Sequence, residues 1–253
     1  MALVKSASEI KLMRRAGAIL ARALVRVSGA AKEGVRLTEL DKLAREVIEA
    51  EGGVPAFLGY RPAGADKAFP ATICASVNEV VVHGVPSNYA LKSGDVLKLD
   101  FGAKFKGYYS DAAVTVPIGK VAPLAVKLIR VTREALETAI QVAVSGATLG
   151  DIGYAIHSTV TRGGFTVIRG LTGHAIGQRL HEDPSVPNEG YRGKGLKLLP
   201  GMVFAIEPMV SAGAANVIQQ NDEGYRTADG SLSAHFEHTV LITESGPEIL
   251  TVV

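Results

Sequence analysis

The 253-residue sequence contains a single cysteine, Cys74, and no tryptophan. One thiol excludes an intrachain disulfide, which fits a reducing cytoplasm. Neither sign of charge is in excess: 27 Lys and Arg stand against 25 Asp and Glu, a formal net charge of +2. That balance gives no electrostatic footprint for nucleic acid. Apolar runs long enough to cross a bilayer are missing, so no membrane association is expected. A secretory signal is missing too, since Arg22 and Arg26 interrupt the apolar stretch between Ala16 and Ala31. No Cys/His cluster has zinc-finger spacing. The glycine-rich stretch from Gly146 to Gly153 lacks the Lys-Ser/Thr of a phosphate-binding loop. Gly-x-Ser-x-Gly is absent, which removes the usual hydrolase nucleophile elbow.

What is present is an ordinary globular composition, 47% hydrophobic and 21% charged. The chain is long enough to bury a substantial core. Ser6 and Glu9 have capping-box spacing. They predict a helix from about Ala7 to Val27, along which Ile10, Met13, Gly17, Leu20 and Leu24 recur with helical period. A second helix starts near Thr38 and stops at Gly52-Gly53. After a Gly/Pro/Ala-rich loop from Pro62 to Ala68, the pattern turns to strands at Ala71–Val77, Val96–Phe101 and Tyr108–Val116. The order then repeats. Helices are expected at about Pro123–Val144 and Leu149–Thr161, and strands at Phe165–Arg169, Met202–Val210 and His235–Thr243. This predicts an α+β class and one catalytic domain of two similar halves, about 1–118 and 119–253.

The chemical signal is acid set in apolar strands. Asp100 ends the run Val96-Leu97-Lys98-Leu99, and Asp111 follows 11 residues later, as two strands of a hairpin allow. Glu207 ends Val203-Phe204-Ala205-Ile206, and Glu237 precedes His238-Thr239-Val240-Leu241. Any one of these acids reads equally as a surface residue or an ion-pair partner. Four buried together would repel one another, and each buried charge costs several kcal/mol unless compensated. Two divalent cations would balance four negative charges. Two histidines, His174 and His181, lie in the glycine-rich stretch Gly173 to Pro184, and His83 follows the apolar run Val80-Val81-Val82. His157 and His238 read as structural, and His235 is left unassigned. Cys74 reads by default as a buried apolar residue.

These stretches together resemble the type I methionine aminopeptidases of the pita-bread fold. The matching segments are Ser76 to Pro86, Asp100 with Asp111, Gly173 to Pro184, Ala205 to Pro208 and Ser231 to Thr239. The resemblance implies removal of the initiator methionine from nascent chains that have a small second residue. It implies two divalent ions (Co, Mn, Fe or Zn) held by Asp100, Asp111, His174, Glu207 and Glu237. Asp111 and Glu237 would bridge the two ions. Glu207 would also move the proton to the leaving amine, His181 would polarise the scissile carbonyl, and His83 would hydrogen-bond the peptide nitrogen. Phe57, Tyr60, Phe69, Cys74 and Leu180 would line the methionine pocket. Asn78, Val80 and Ser233 match positions that hold a monovalent cation in some relatives.

Departures from the family pattern are Ala175 in place of a usual glycine, a longer loop between Tyr60 and Phe69, and Tyr225 where some relatives carry tryptophan. No N-terminal zinc-binding extension is expected. The 30 residues from Glu207 to Glu237 leave no room for the large insertion of type II enzymes. Two other readings compete. A proline-specific peptidase of the same fold usually carries an extra N-terminal domain, and often a histidine where this chain has Gly170. A non-catalytic binding module of this fold typically loses metal ligands. A monomer is expected. Arg192, Lys194 and Lys197, after Tyr191, read either as a solvated loop or as a transient ribosome contact.

Overall fold

The computed structural model of the chain describes residues 3–61, 67–220 and 224–252. The Gly/Pro/Ala-rich loop expected from Pro62 to Ala68 therefore lies largely outside the described residues. Helix α1 (Ala7–Ala30) begins where its capping box predicts. The Ser6 backbone N–H donates to Glu9 Oε2 at 2.8 Å, and the Glu9 N–H donates to Ser6 Oγ at 3.4 Å. Two N–H groups that a helix start leaves unpaired are thereby satisfied. The helix runs three residues past Val27, because Gly29 keeps helical backbone instead of the positive φ that ends a helix. Helix α2 (Leu37–Ala50) does end on such a residue, Gly52, at φ +80°.

Short strands follow: β1 (Val54–Pro55), β2 (Cys74–Val77) and β3 (Val80–Val82). The long hairpin β4 (Val96–Phe105) and β5 (Tyr108–Pro117) completes the first set. Next come α3 (Pro123–Val142), with proline at its first helical position, and α4 (Leu149–Arg162), with a Thr148–Asp151 capping box. The remaining strands are β6 (Thr166–Val167), β7 (Gly173–Ala175), β8 (Glu182–Val186), β9 (Val203–Ile206), β10 (Met209–Ser211), β11 (Val217–Gln219), β12 (Tyr225–Thr227), β13 (Ser233–His235), β14 (Glu237–Thr243) and β15 (Gly246–Ile249).

Nine strands form one antiparallel sheet in the order β1-β4-β5-β14-β9-β7-β8, with β2 added on β4 and β15 on β14. Its hairpin β4–β5 comes from the first half of the sequence, and β14, β9 and β7 from the second. Residues on β4 and β5 alternate between two faces. Leu97, Leu99, Phe101 and Ala112 point to one face and join Met13, Leu20, Leu40 and Ile48 of α1 and α2 in a buried apolar cluster. A second cluster gathers Leu128, Leu136, Ile152 and Ile156 of α3 and α4 against Phe204, Ile206, Val240 and Ile242. The helices thus seal one face of the sheet, and the opposite face is left for polar residues. No helix among the described residues is long and apolar enough to cross a membrane.

Several expected strands are shorter or divided. The strand expected at Ala71–Val77 begins at Cys74, and Phe165–Arg169 shrinks to Thr166–Val167. Met202–Val210 splits into β9 and β10 around Glu207-Pro208, since proline lacks the N–H a ladder needs. His235–Thr243 breaks at Phe236, leaving His235 at the end of β13 and Glu237 at the start of β14. The helix expected to reach Val144 ends at Val142.

Candidate metal centre

Strand register explains why the acids meet. Asp100 lies opposite Ala113, and Asp111 opposite Gly102, so both carboxylates share one face of the β4–β5 hairpin. Glu237 lies opposite that same Ala113 from the other side, which extends the row onto β14. His174 on β7 is paired with Ala205 on β9, two residues before Glu207. Cys74 is paired with Asp100. A period of two therefore delivers Asp100, Asp111, Glu237, His174 and Cys74 to the face away from the helices. Glu207 sits just beyond the end of β9, where the Pro208 break lets its side chain turn into the same space.

The groups are close and largely sealed from water. His174 Nε2 is 3.6 Å from Glu207 Oε1 and 3.9 Å from Asp111 Oδ2. Asp100, Asp111 and Glu237 are buried, and the Glu207 side chain retains 12% exposure. Burial, and then the neighbouring acids, push Asp111 and Glu237 well above the usual carboxylate range, and burial does the same to Glu207. Asp100 rises to about 7, mainly by burial, with His235 opposing and Glu207 adding to the rise. Glu237 Oε1 is buried without a hydrogen-bond partner. The Ala175 carbonyl can only accept, so His174 donates to it through Nδ1 at 3.0 Å. That fixes a neutral tautomer whose Nε2 lone pair faces Asp111 and Glu207. Burial lowers the His174 ring to about 4.

Converging like charges, an orphaned carboxylate oxygen and a pre-oriented imidazole are what a divalent ion would satisfy. Among the described residues, two groups have ligand atoms within 4.8 Å of one another: Asp111 with His174 and Glu237, and Glu207 with His235 and Glu237. The donor set fits a divalent metal with mixed oxygen and nitrogen ligands.

The sequence alone assigns no role to His235. Its Nε2 lies 3.5 Å from Glu207 Oε2 and 4.0 Å from Glu237 Oε2, and neither ring nitrogen has a hydrogen-bond partner. The available signal was its position two residues before Glu237. His238 instead pairs with Thr251 Oγ1 at 2.8 Å, and His157 is an exposed helix residue near Glu189.

The acid cluster floors a cavity of about 550 Å³. Phe57, Tyr60, Phe69, Cys74 and Leu180 all line it, as do His83, His181 and Tyr225. Phe57 and Phe69 meet edge to face with ring centroids 6.3 Å apart. The Cys74 thiol is pushed well above its ordinary value by burial and by Asp100 and Asp111, so it stays protonated and apolar. His181 Nδ1 shares a 2.7 Å hydrogen bond with the Tyr60 hydroxyl, and its ring stands edge-on to His174 at 4.4 Å. His83 follows β3 at φ +59° and meets Tyr225 edge-on at 5.7 Å. Both rings are solvent-reachable through the cavity although protein surrounds them. Burial is the main cause that lowers them, to about 4 for His83 and about 3 for His181.

Lys98 shares the acid-bearing face two residues before Asp100 and is 1% exposed. Its Nζ donates to the Asn78 carbonyl at 2.7 Å and reaches the Val96 carbonyl at 3.5 Å. Burial lowers it to about 7, while Glu79 and Asp95 oppose that fall. Arg192, Lys194 and Lys197 are exposed, with the Arg192 guanidinium 4.4 Å from the centre of the Tyr154 ring.

Comparison with known proteins agrees with this geometry. A methionine aminopeptidase from Clostridium acetobutylicum is 46% identical, with 99% of each chain covered. The crystal structure of a methionine aminopeptidase from Thermotoga maritima superposes with a TM-score of 0.94 at 43% identity, covering 99% of both chains. A prolidase from Pyrococcus furiosus shares the pita-bread fold at TM-score 0.77 and 22% identity, and this chain covers 66% of it. The model of metallopeptidase family M24 matches residues 11–244. With a buried acid and imidazole cluster at the floor of an apolar cavity, and family likeness along nearly its whole length, the chain belongs to metallopeptidase family M24.

Proposed function

We propose that this chain removes the N-terminal methionine from peptides and nascent proteins whose second residue is small. One observation carries the reading: an apolar aromatic cavity opens directly onto a buried set of four carboxylates and His174. Asp100, Asp111, His174, Glu207 and Glu237 would hold two divalent ions. When bound, such ions supply positive charge that lowers the pKa of water and polarises a carbonyl.

The chain's own residues would do the rest. Phe57, Phe69, Cys74 and Leu180 offer an apolar slot for an unbranched side chain, which the flexible, polarisable thioether of methionine can fill. The Tyr60 hydroxyl engages His181 Nδ1 and leaves Nε2 free to donate to the scissile carbonyl as negative charge develops there. His83, held at positive φ in the wall of the same cavity, would hydrogen-bond the peptide nitrogen. Glu207, at the floor of the cavity, would accept the proton of the attacking water and pass it to the leaving amine. The same reading treats residues 1–118 and 119–253 as two halves of one catalytic unit. It also keeps a transient ribosome contact at Arg192, Lys194 and Lys197, for which reversal of all three charges should weaken ribosome binding.

The experiment is peptide release from Met-Ala-Ser and from an Xaa-Pro dipeptide, after chelation and re-addition of Co, Mn, Fe or Zn. Release of free methionine that needs a divalent ion is expected. Faster cleavage of Xaa-Pro would replace this reading by a proline-specific one, and metal binding without cleavage of either peptide would replace it by a binding module.

A further inference from the structure

The turn between β2 and β3 is built from Asn78 and Glu79, and it is clamped from several sides. Asn78 has φ +54°, a left-handed conformation that a side chain tolerates only when its surroundings enforce it. Its N–H donates to the Val96 carbonyl at 2.9 Å, and its Oδ1 accepts from the Val96 N–H at 2.9 Å. The turn leads through β3 to His83. On the other flank lies β13, which leads to His235 and Glu237. The Ser233 N–H donates to the Asn78 carbonyl at 3.1 Å, and its hydroxyl lies 3.0 Å from that carbonyl and 3.2 Å from the Val80 carbonyl. Carbonyl oxygens of residues 78, 80 and 96 therefore gather at the junction of three strands. Their negative ends converge, which is unfavourable unless a donor or cation sits among them.

The Lys98 ammonium is that cation. It comes up from β4 on the acid-bearing face, is 1% exposed, and places Nζ on the Asn78 carbonyl at 2.7 Å. Glu79 and Asp95 supply negative charge nearby. We propose that Lys98 is a tethered monovalent cation that positions the His83-bearing turn against β4 and β13, so that no free alkali ion is needed at Asn78, Val80 and Ser233. Lys98 is a positioning residue: it touches no substrate, and it acts by tying the strand that carries Asp100 to the segments that carry His83 and Glu237. The step from junction to His83 rests on the peptidase reading above, whereas the cation replacement itself does not.

The test uses the metal-loaded protein in chloride salts of choline, sodium, potassium and ammonium at equal ionic strength, roughly 0.1 M. Wild type should melt at the same temperature and cleave Met-Ala-Ser at the same rate in all four. Lys98→Ala empties the space, and kcat/KM should fall by about 10-fold or more in choline. Its activity and melting temperature should recover saturably in potassium or ammonium. Lys98→Met fills the space without charge and should show the loss without recovery. A wild type that is itself stabilised saturably by potassium would overturn the proposal. So would a Lys98→Ala variant as active as wild type in choline, or one that recovers equally with choline and potassium. If neither variant folds, the wild-type melting series still decides. If wild type cleaves no peptide, the proposed function fails while the melting temperatures continue to test the tethered cation.

Discussion

Asp111 is buried among other acids, where a lone carboxylate would destabilise the fold and a metal-bound one would not. Its replacement by asparagine keeps the shape and removes the charge. In chelated protein, Asp111→Asn should melt higher than chelated wild type, because one source of repulsion is gone. In metal-replete protein it should bind less metal by elemental analysis and lose activity by about 100-fold or more. Equal metal content and turnover in the variant would remove Asp111 from the ligand set. The same cluster sets a pH dependence for the chelated form. The acids have raised folded-state pKa values, so each holds a proton that its unfolded counterpart has lost, while buried histidines lowered to about 3 to 4 oppose this below their ordinary pKa of 6.5. The stability from the acids is present below the ordinary carboxylate pKa near 3.8 and is lost as pH rises through about 7, the value for Asp100. Urea midpoints of chelated protein should therefore fall above about pH 6.5, where the histidines no longer offset the acids, and saturating metal should flatten the fall.

Among the elements, the loop from Gly177 to Glu182 shows how a distant segment steadies the cavity wall. Lys5 Nζ contacts Glu182 Oε2 at 2.7 Å with both side chains almost wholly buried, and Glu182 Oε1 accepts from the Arg179 N–H at 3.1 Å. Leu180 and His181 ride on that loop. Lys5→Met leaves a buried carboxylate without its ammonium and should cost about 3–5 kcal/mol in urea denaturation. The double variant Lys5→Met, Glu182→Gln should recover part of that loss, and additive losses would deny the coupling. Elements of this kind also mark the limit of legibility in the sequence. The four helices and the β4–β5 hairpin were readable, since caps and periodicity persist over many residues. Strands β7, β8, β11 and β12 were not, being three to five residues long, with Gly and His in β7 and Pro in β8. The acids stood out because carboxylates are rare within apolar runs. Lys98 and His235 did not, because their neighbours at Asn78, Ser233 and Glu207 are brought near only by folding.

Over the whole molecule, the sheet takes strands from both halves of the sequence, and the metal centre lies where they meet. Ion binding should therefore register as global stability. At about 100 times its Kd, a divalent ion stabilises by about 2.7 kcal/mol, which for a chain of this size raises the melting temperature by roughly 5–10 °C. Calorimetry with and without manganese or cobalt would measure it, and an unchanged transition would mean that the acids do not bind the ion in the native state. A second long-range tie is steric. Gly17 lies midway along α1, and a Cβ there would overlap the carbonyl of Leu250, which itself is fixed by a 2.9 Å hydrogen bond from its N–H to the Thr239 carbonyl. The close fit of Gly17 against Leu250 can form only once residue 250 has been synthesised, whereas the packing of α1 on α2 and the β4–β5 hairpin needs only the first half of the sequence. A protein whose proposed substrates are unfinished polypeptides can thus seat its α1 helix early and lock it late, when the segment around residue 250 arrives.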